Sequence, residues 1–283
     1  MFSKISNYSF SLNNNYNFNK NRTNALNINK NSATDTFVKT SFKGDFNTTK
    51  FDEAGEIKSE KEYDLTLQKL MNDKSWNKNW NISNANKYQL GLMPYVGILD
   101  IHSEMNYFLR NGKLYHHELI NNIVKDEDTM MNYIKVMKYA LKELDKEYGT
   151  HNGIVYRYGY FKNSDTKSTG YVSTALNPEG VIQVACSGER PFQQPYFIIV
   201  AKDGHKIMNM QEKMNYPDTF KKSYIAESEI LLDPNKSYEK ITEKTPELEK
   251  AEKDLFEAFK KKYPNINENV LKNNLHIYFY KEC

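Results

Sequence analysis

Cysteine is nearly absent. Cys186 and Cys283 are the only two in 283 residues. They stand far apart and fit neither a metal-ligand nor a disulfide spacing. No apolar run approaches the roughly 20 residues that span a bilayer. The N-terminus lacks the apolar core of a cleaved signal peptide, so export would need another route. Excess charge of one sign is missing too: 39 Lys and Arg face 36 Asp and Glu, a net +3. That is too little to point to nucleic acid. Apolar content is only 39% and mean hydropathy −0.78, so long polar tails or loops are expected. The length suits one large domain or two small ones.

Residues 1 to about 55 differ from the rest. Runs such as Asn13-Asn14-Asn15, with scattered Ser, Thr and Lys, bury too little apolar area to offset chain entropy. The stretch is expected to be disordered. Composition bias filling a linker accounts for it; an uncleaved secretion signal does so equally, since Ser/Asn-rich flexible N-termini suit that use.

From Glu60 onward the chain has periods. Leu65, Leu67, Leu70 and Met71 give a short helical stripe. Trp76 and Trp80 are expected to pin an Asn/Lys-rich loop. Ile98, Ile101, Met105 and Phe108 recur at helical spacing within Leu92 to Arg110, with Gly112 as a stop. Met130, Ile134, Met137, Leu141 and Leu144 mark a helix from about Glu127 to Glu147, ended by Gly149. These stripes read as core. The period then changes to that of strands, over Gly153–Phe161, Gly170–Ala175 and Tyr196–Ala201, with Asp203-Gly204 as a turn signal. Thr245-Pro246 opens a late helix with Leu248, Ala251, Leu255 and Phe259 inward, and Leu275–Tyr280 closes as a strand. Helices first, then strands with one late helix, is an α+β order.

Two features stand out against this background. Val155, Arg157 and Gly159 share a strand face. A long cation there needs an anion, or it snorkels to an edge or pairs with an internal carboxylate. Tyr224 to Pro234 also reads as a strand, with Ile225, Glu227, Glu229 and Leu231 on one face. Two adjacent carboxylates on an apolar strand repel, and burying them is costly unless a cleft gives each a task. Glu60-Lys61-Glu62 and Glu247-Leu248-Glu249 repeat the spacing on solvated helices, so the pair alone is a weak signal.

Arg157, then Ser173-Thr174, then Glu227-Ser228-Glu229 resemble, in order and spacing, the R-S-E class of mono-ADP-ribosyltransferases, the bacterial toxin and ecto-enzyme type. Asn106 with Leu109-Arg110-Asn111-Gly112 looks like that family's helix before its first core strand. Val155-Tyr156-Arg157 and Tyr171-Val172-Ser173-Thr174 look like its Arg and Ser-Thr-Ser strands. Phe197 to Val200 followed by Gly204 looks like the strand before its substrate loop. The likeness covers roughly residues 60–235. Ala175 replaces the last serine of Ser-Thr-Ser, and Phe192 is the nearest match to the family's nicotinamide-loop aromatic.

The resemblance implies an ADP-ribosyltransferase-like α+β fold: N-terminal helices, then a split, mostly antiparallel β-sandwich around an NAD cleft, spanning 56–283. It implies NAD as substrate, no metal, and a protein target, arginine being the side chain suggested by Glu227. Arg157 would clamp the NAD diphosphate through its fork of donors, with Tyr158, Thr174 and Phe192 also at the cofactor. Glu229 would stabilise the oxocarbenium-like ribose, Ser173 would hold it in register, and Glu227 would engage the acceptor. The loop from Gln211 to Tyr224, with Tyr216 and Phe220, would face the target. The further expectations are a monomer that spans no membrane and binds no nucleic acid: a secreted effector delivered into the host cytoplasm. An NAD glycohydrolase, a transferase to another side chain, a binding module on a decayed fold and an RNA adaptor are the competing readings.

Overall fold

The computed structural model describes residues 49–71, 86–96, 101–115, 123–159, 170–187, 191–207 and 228–283. The N-terminal segment up to residue 48 lies outside these, as do Trp76, Trp80, Glu227 and the loop from 211 to 224. The end of the expected disordered segment is corrected: Thr49–Glu53 is a short helix (α1). Its Phe51 meets Tyr171 edge-on at 5.8 Å and lies under Lys138 Nζ at 4.3 Å, while Ala54 and Ile57 are buried. These apolar side chains gain too much from burial to stay in solvent.

Helix α2, Glu60–Met71, buries Tyr63, Leu67 and Leu70 at helical spacing, and leaves Leu65 exposed against expectation. The helix expected over 92–110 is two: Lys87–Val96 (α3) and Ile101–Asn111 (α4). Glu127–Tyr148 (α5) has Asp126 as N-cap, accepting the Thr129 N–H at 2.7 Å, and ends at Gly149 in the left-handed region, φ 67°. The Met and Leu stripe foreseen for it is buried. Gly91 lets α3 lie close on α5, since a Cβ there would fall 2.3 Å from Tyr63 Oη and 3.0 Å from Val136 Cγ1.

The strands are Thr150–Tyr158 (β1), Val172–Ala175 (β2), Tyr196–His205 (β3), Glu229–Leu232 (β4), Tyr238–Lys240 (β5) and Ile277–Glu282 (β6). They form one six-stranded sheet. β1 runs antiparallel along β3, from Thr150 opposite His205 to Tyr158 opposite Tyr196. β6 takes the other edge of β3, and in parallel, so the sheet is mixed. β2 and β4 form their own antiparallel ladder. Single pairings tie that ladder to the rest, Tyr156 with Ala175 and His205 with Leu231. The architecture is α+β.

Asp203-Gly204 does not turn the chain. β3 continues to His205, and the register shift between His151 and Gly153, with Asp203 at φ 51°, marks a bulge. Pairing with β1 overrides the local turn preference. Pro178–Ser187 (α6), Pro246–Lys262 (α7) and Glu268–Asn274 (α8) pack on the face of β1 and β3 that carries Tyr156 and Ile198. The opposite face, with Val155, Phe197 and Ile199, meets Val172, Ile230 and Leu232. A further cluster joins α1–α5 to Tyr171 and Leu231.

Candidate active site

Alternation along β1 sends Val155 into the apolar contact with β2 and β4, so Arg157, two residues on, points the same way. Its Nη1 donates to the Ser173 carbonyl oxygen at 2.5 Å. Burial pushes the guanidinium pKa down to about 10; Tyr95 and Glu229 favour its charge, and Arg110 opposes it. It stays cationic at neutral pH.

Glu229 is the first residue of β4 and is only 8% exposed. It lies opposite Ala175, and Ser173 lies opposite Leu231. Paired residues in a ladder project from the same face, so Ser173 and Glu229 are diagonal neighbours. Of the strand expected from Tyr224, residues 224–227 lie outside the described residues and Glu229–Leu232 is strand. Ser228, just before β4, adopts φ 45°, a left-handed conformation. Glu227, expected on the face of Glu229, lies outside the described residues.

Arg157, Tyr158, Ser173, Thr174 and Glu229 line one cavity of about 70 Å³, closed by Tyr156, Ala175, Val181 and Val184. A site for a drug-sized ligand usually has about 300–1,000 Å³, so this cavity alone is too small for a dinucleotide. Two segments outside the described residues, 160–169 and 208–227, join β1 to β2 and β3 to β4. A larger cavity of about 450 Å³ lies against α5, lined by Asp145, His205 and Asp233, without Arg157 or Glu229. Chemistry, not size, selects the smaller one.

Two expected cofactor residues also make contacts within the fold. The Thr174 hydroxyl is buried and donates to the Ile230 carbonyl at 2.6 Å, which holds β2 to β4. Phe192 stacks on Phe259 of α7 at 5.8 Å and does not line the cavity. Tyr158 does line it, and its ring also packs on Tyr196 at 5.0 Å.

The helices add groups that motif reading did not assign to the site. Tyr95 of α3 is buried, and its pKa is raised by burial and then by the Glu229 charge. Asn106 Nδ2 donates to its hydroxyl at 3.4 Å. Arg110, one turn after Asn106 on α4, is lowered in pKa by burial. Gly170 allows this helix to reach the start of β2, since a Cβ there would fall 2.7 Å from Asn106 Oδ1 and 3.3 Å from Arg110 Nε. The i, i+4 spacing of Asn106 and Arg110 was visible in the sequence; that Arg110 lies near enough to Arg157 for their charges to oppose each other was not. Two guanidinium groups near a carboxylate and a serine can hold a polyanion against a carboxylate-stabilised cation.

No protein-family model matches the sequence, and no curated protein matches it. Solved structures do. One is the Vis toxin of Vibrio splendidus, an ADP-ribosyltransferase, with 15% identity, TM-score 0.40, and 82% of this chain and 90% of that one covered. Another is a eukaryotic mono-ADP-ribosyltransferase, at 12% identity and TM-score 0.39, covering 77% and 74%. A third is an ADP-ribosyltransferase of Clostridium botulinum, at 13% identity and TM-score 0.36, covering 80% and 97%. At such identities and TM-scores these likenesses carry no functional argument.

Proposed function

We propose that the protein transfers ADP-ribose from NAD to a protein side chain, arginine first among candidates, and releases nicotinamide. The observation that carries this reading is the convergence of Arg157, Ser173 and Glu229, from three separate strands, on one cavity. Their order in the chain is that of the R-S-E motif.

Arg157, supported by Arg110, binds the diphosphate with charge-assisted hydrogen bonds. Glu229 faces the nicotinamide ribose. As the glycosidic bond to nicotinamide breaks, positive charge grows on the ribose, and a carboxylate fixed beside it lowers that barrier. Ser173 keeps carboxylate and ribose in register. Glu227 meets the acceptor, aligning a guanidinium and taking its proton as the new C–N bond forms. The polar N-terminal segment suits a part in delivery into a host cell.

The test is incubation with isotopically labelled NAD and either agmatine, a small guanidinium, or a host-cell lysate. Label on agmatine and on lysate protein, with nicotinamide released in step, supports arginine transfer. Nicotinamide release without transfer in either mixture would make the protein a glycohydrolase. No turnover at all refutes the reading.

A further inference from the structure

The left-handed backbone at Ser228 is an exception that needs a cause, because a residue with a Cβ rarely adopts φ near 45°. Two hydrogen bonds hold it. The Leu176 N–H donates to the Ser228 carbonyl oxygen at 2.9 Å. Asn177 Nδ2 donates to Ser228 Oγ at 3.3 Å. The other end of the same amide is also committed: Asn177 Oδ1 accepts the Gly180 N–H at 3.0 Å. That bond makes Asn177 the N-cap of α6, with Pro178 at the first helical position. It also fixes the amide's orientation, since a flipped amide would set two donors against each other.

One side chain thus ties the end of β2, the start of α6 and the residue that precedes Glu229. The last pair of the β2–β4 ladder is Ala175 with Glu229. One step outward comes the Leu176–Ser228 bond, and β2 then gives way to α6 at Pro178. Glu229 therefore sits at a ladder end that would fray if nothing closed it.

We infer that Asn177 and Ser228 form a clasp that positions the Glu229 carboxylate, both acting as positioning residues for the transfer step. This rests on Glu229 being the catalytic carboxylate proposed above. The clasp closes the ladder end beside Glu229, whereas Arg157 is anchored further in, at the Ser173 carbonyl. It therefore governs the reacting end of the site and leaves the anion clamp alone. A displacement of about 1 Å at a reacting group can lower a rate by about 10². Loss of the clasp should therefore lower kcat and leave KM for NAD nearly unchanged.

The experiment is a double-mutant cycle on the full chain, read as NAD turnover. Ser228→Ala removes the hydroxyl. Asn177→Ser keeps a good N-cap for α6 but is too short to reach residue 228. Each should lower kcat about tenfold or more with KM for NAD within about threefold, and the double variant should lose no more than either single one. Ser228→Gly also lacks the hydroxyl but accepts the left-handed backbone without strain. It keeps the test decisive if Ser228→Ala fails to fold, and it should show the same loss of kcat. Wild-type kcat in Ser228→Gly and Asn177→Ser, or losses that simply multiply in the double variant, would overturn the clasp. Glu229→Gln separates the two ideas. If it leaves turnover intact, the functional reading fails. If it abolishes turnover while the clasp variants stay at the wild-type rate, only the inference fails.

Discussion

Arg157 donates through Nη1 to the main-chain oxygen of Ser173 at 2.5 Å, so the cation and the serine of the motif are bound to each other before any ligand arrives. One arm of the guanidinium is engaged in holding β2. Arg157→Ala should weaken NAD binding at least tenfold, each lost charge-assisted bond being worth about 1.5–3 kcal/mol. Arg157→Lys should recover little, because a point charge cannot serve carbonyl and phosphate at once. Calorimetric titration with NAD decides it. Unchanged affinity in the Ala variant would make Arg157 a strand tie only.

The two carboxylates should separate by reaction. Glu229→Gln should lower both nicotinamide release and protein labelling by about 10²–10³, since both pass through the ribose cation. Glu227→Gln should lower labelling by a similar factor and leave slow hydrolysis of NAD in place. Both rates can be followed in one assay. Equal loss of both in Glu227→Gln would remove its acceptor role.

Truncation should show a sharp boundary. Removing residues 1–44 should leave NAD turnover and the thermal transition near those of the full chain. Removing 1–57 takes away Phe51, Ala54 and Ile57 from the helical core. Burial of side chains of this kind is worth about 1.5–3 kcal/mol each for the larger ones, so the midpoint should fall by several degrees or more. Equal stability of the two truncations would contradict the place given to α1.

His205 predicts a pH dependence. Its Nδ1 lies 2.8 Å from Asp145 Oδ2, and its Nε2 lies 3.1 Å from Asp233 Oδ1. Burial opposes its charge, but the two carboxylates outweigh burial and push its pKa up to about 9. A raised pKa means stability that is complete below the unfolded value of about 6.5 and is lost as pH climbs through about 9. The loss should be about 3 kcal/mol over that window. Urea unfolding at several pH values should show the decline in the wild type and a flatter profile in His205→Asn. Parallel profiles would show that His205 is neutral in the fold.

Much of the site was legible because strands obey a period of two. Arg157 could be put on the face of Val155 from alternation alone, and β1 keeps that alternation. The helix stripe of α5 was legible for the same kind of reason. The helix α6 was not foreseen, although Asn177-Pro178-Glu179 offers an N-cap, a first-turn Pro and an acidic first-turn residue. What could not be read is where tertiary pairing overrules a local signal. Asp203-Gly204 favours a turn and becomes a bulge because β1 runs alongside. Within the Tyr224–Leu232 run, which favours a strand, Ser228 is left-handed and bonded to residues some 50 positions earlier, which no local pattern announced. Phe192 could be named as an aromatic, but only packing assigns it to Phe259.

The parallel pairing of β6 on β3 has a consequence for how the protein is made. β3 carries Tyr196, Phe197, Ile198, Ile199 and Val200, and its second edge has no partner until Ile277–Glu282 emerge from the ribosome. An apolar strand with an open edge is a template for aggregation while it waits. Throughout synthesis of α7 and α8 the nascent chain therefore exposes an apolar strand edge, and its yield in cells should depend on a chaperone that shields that edge.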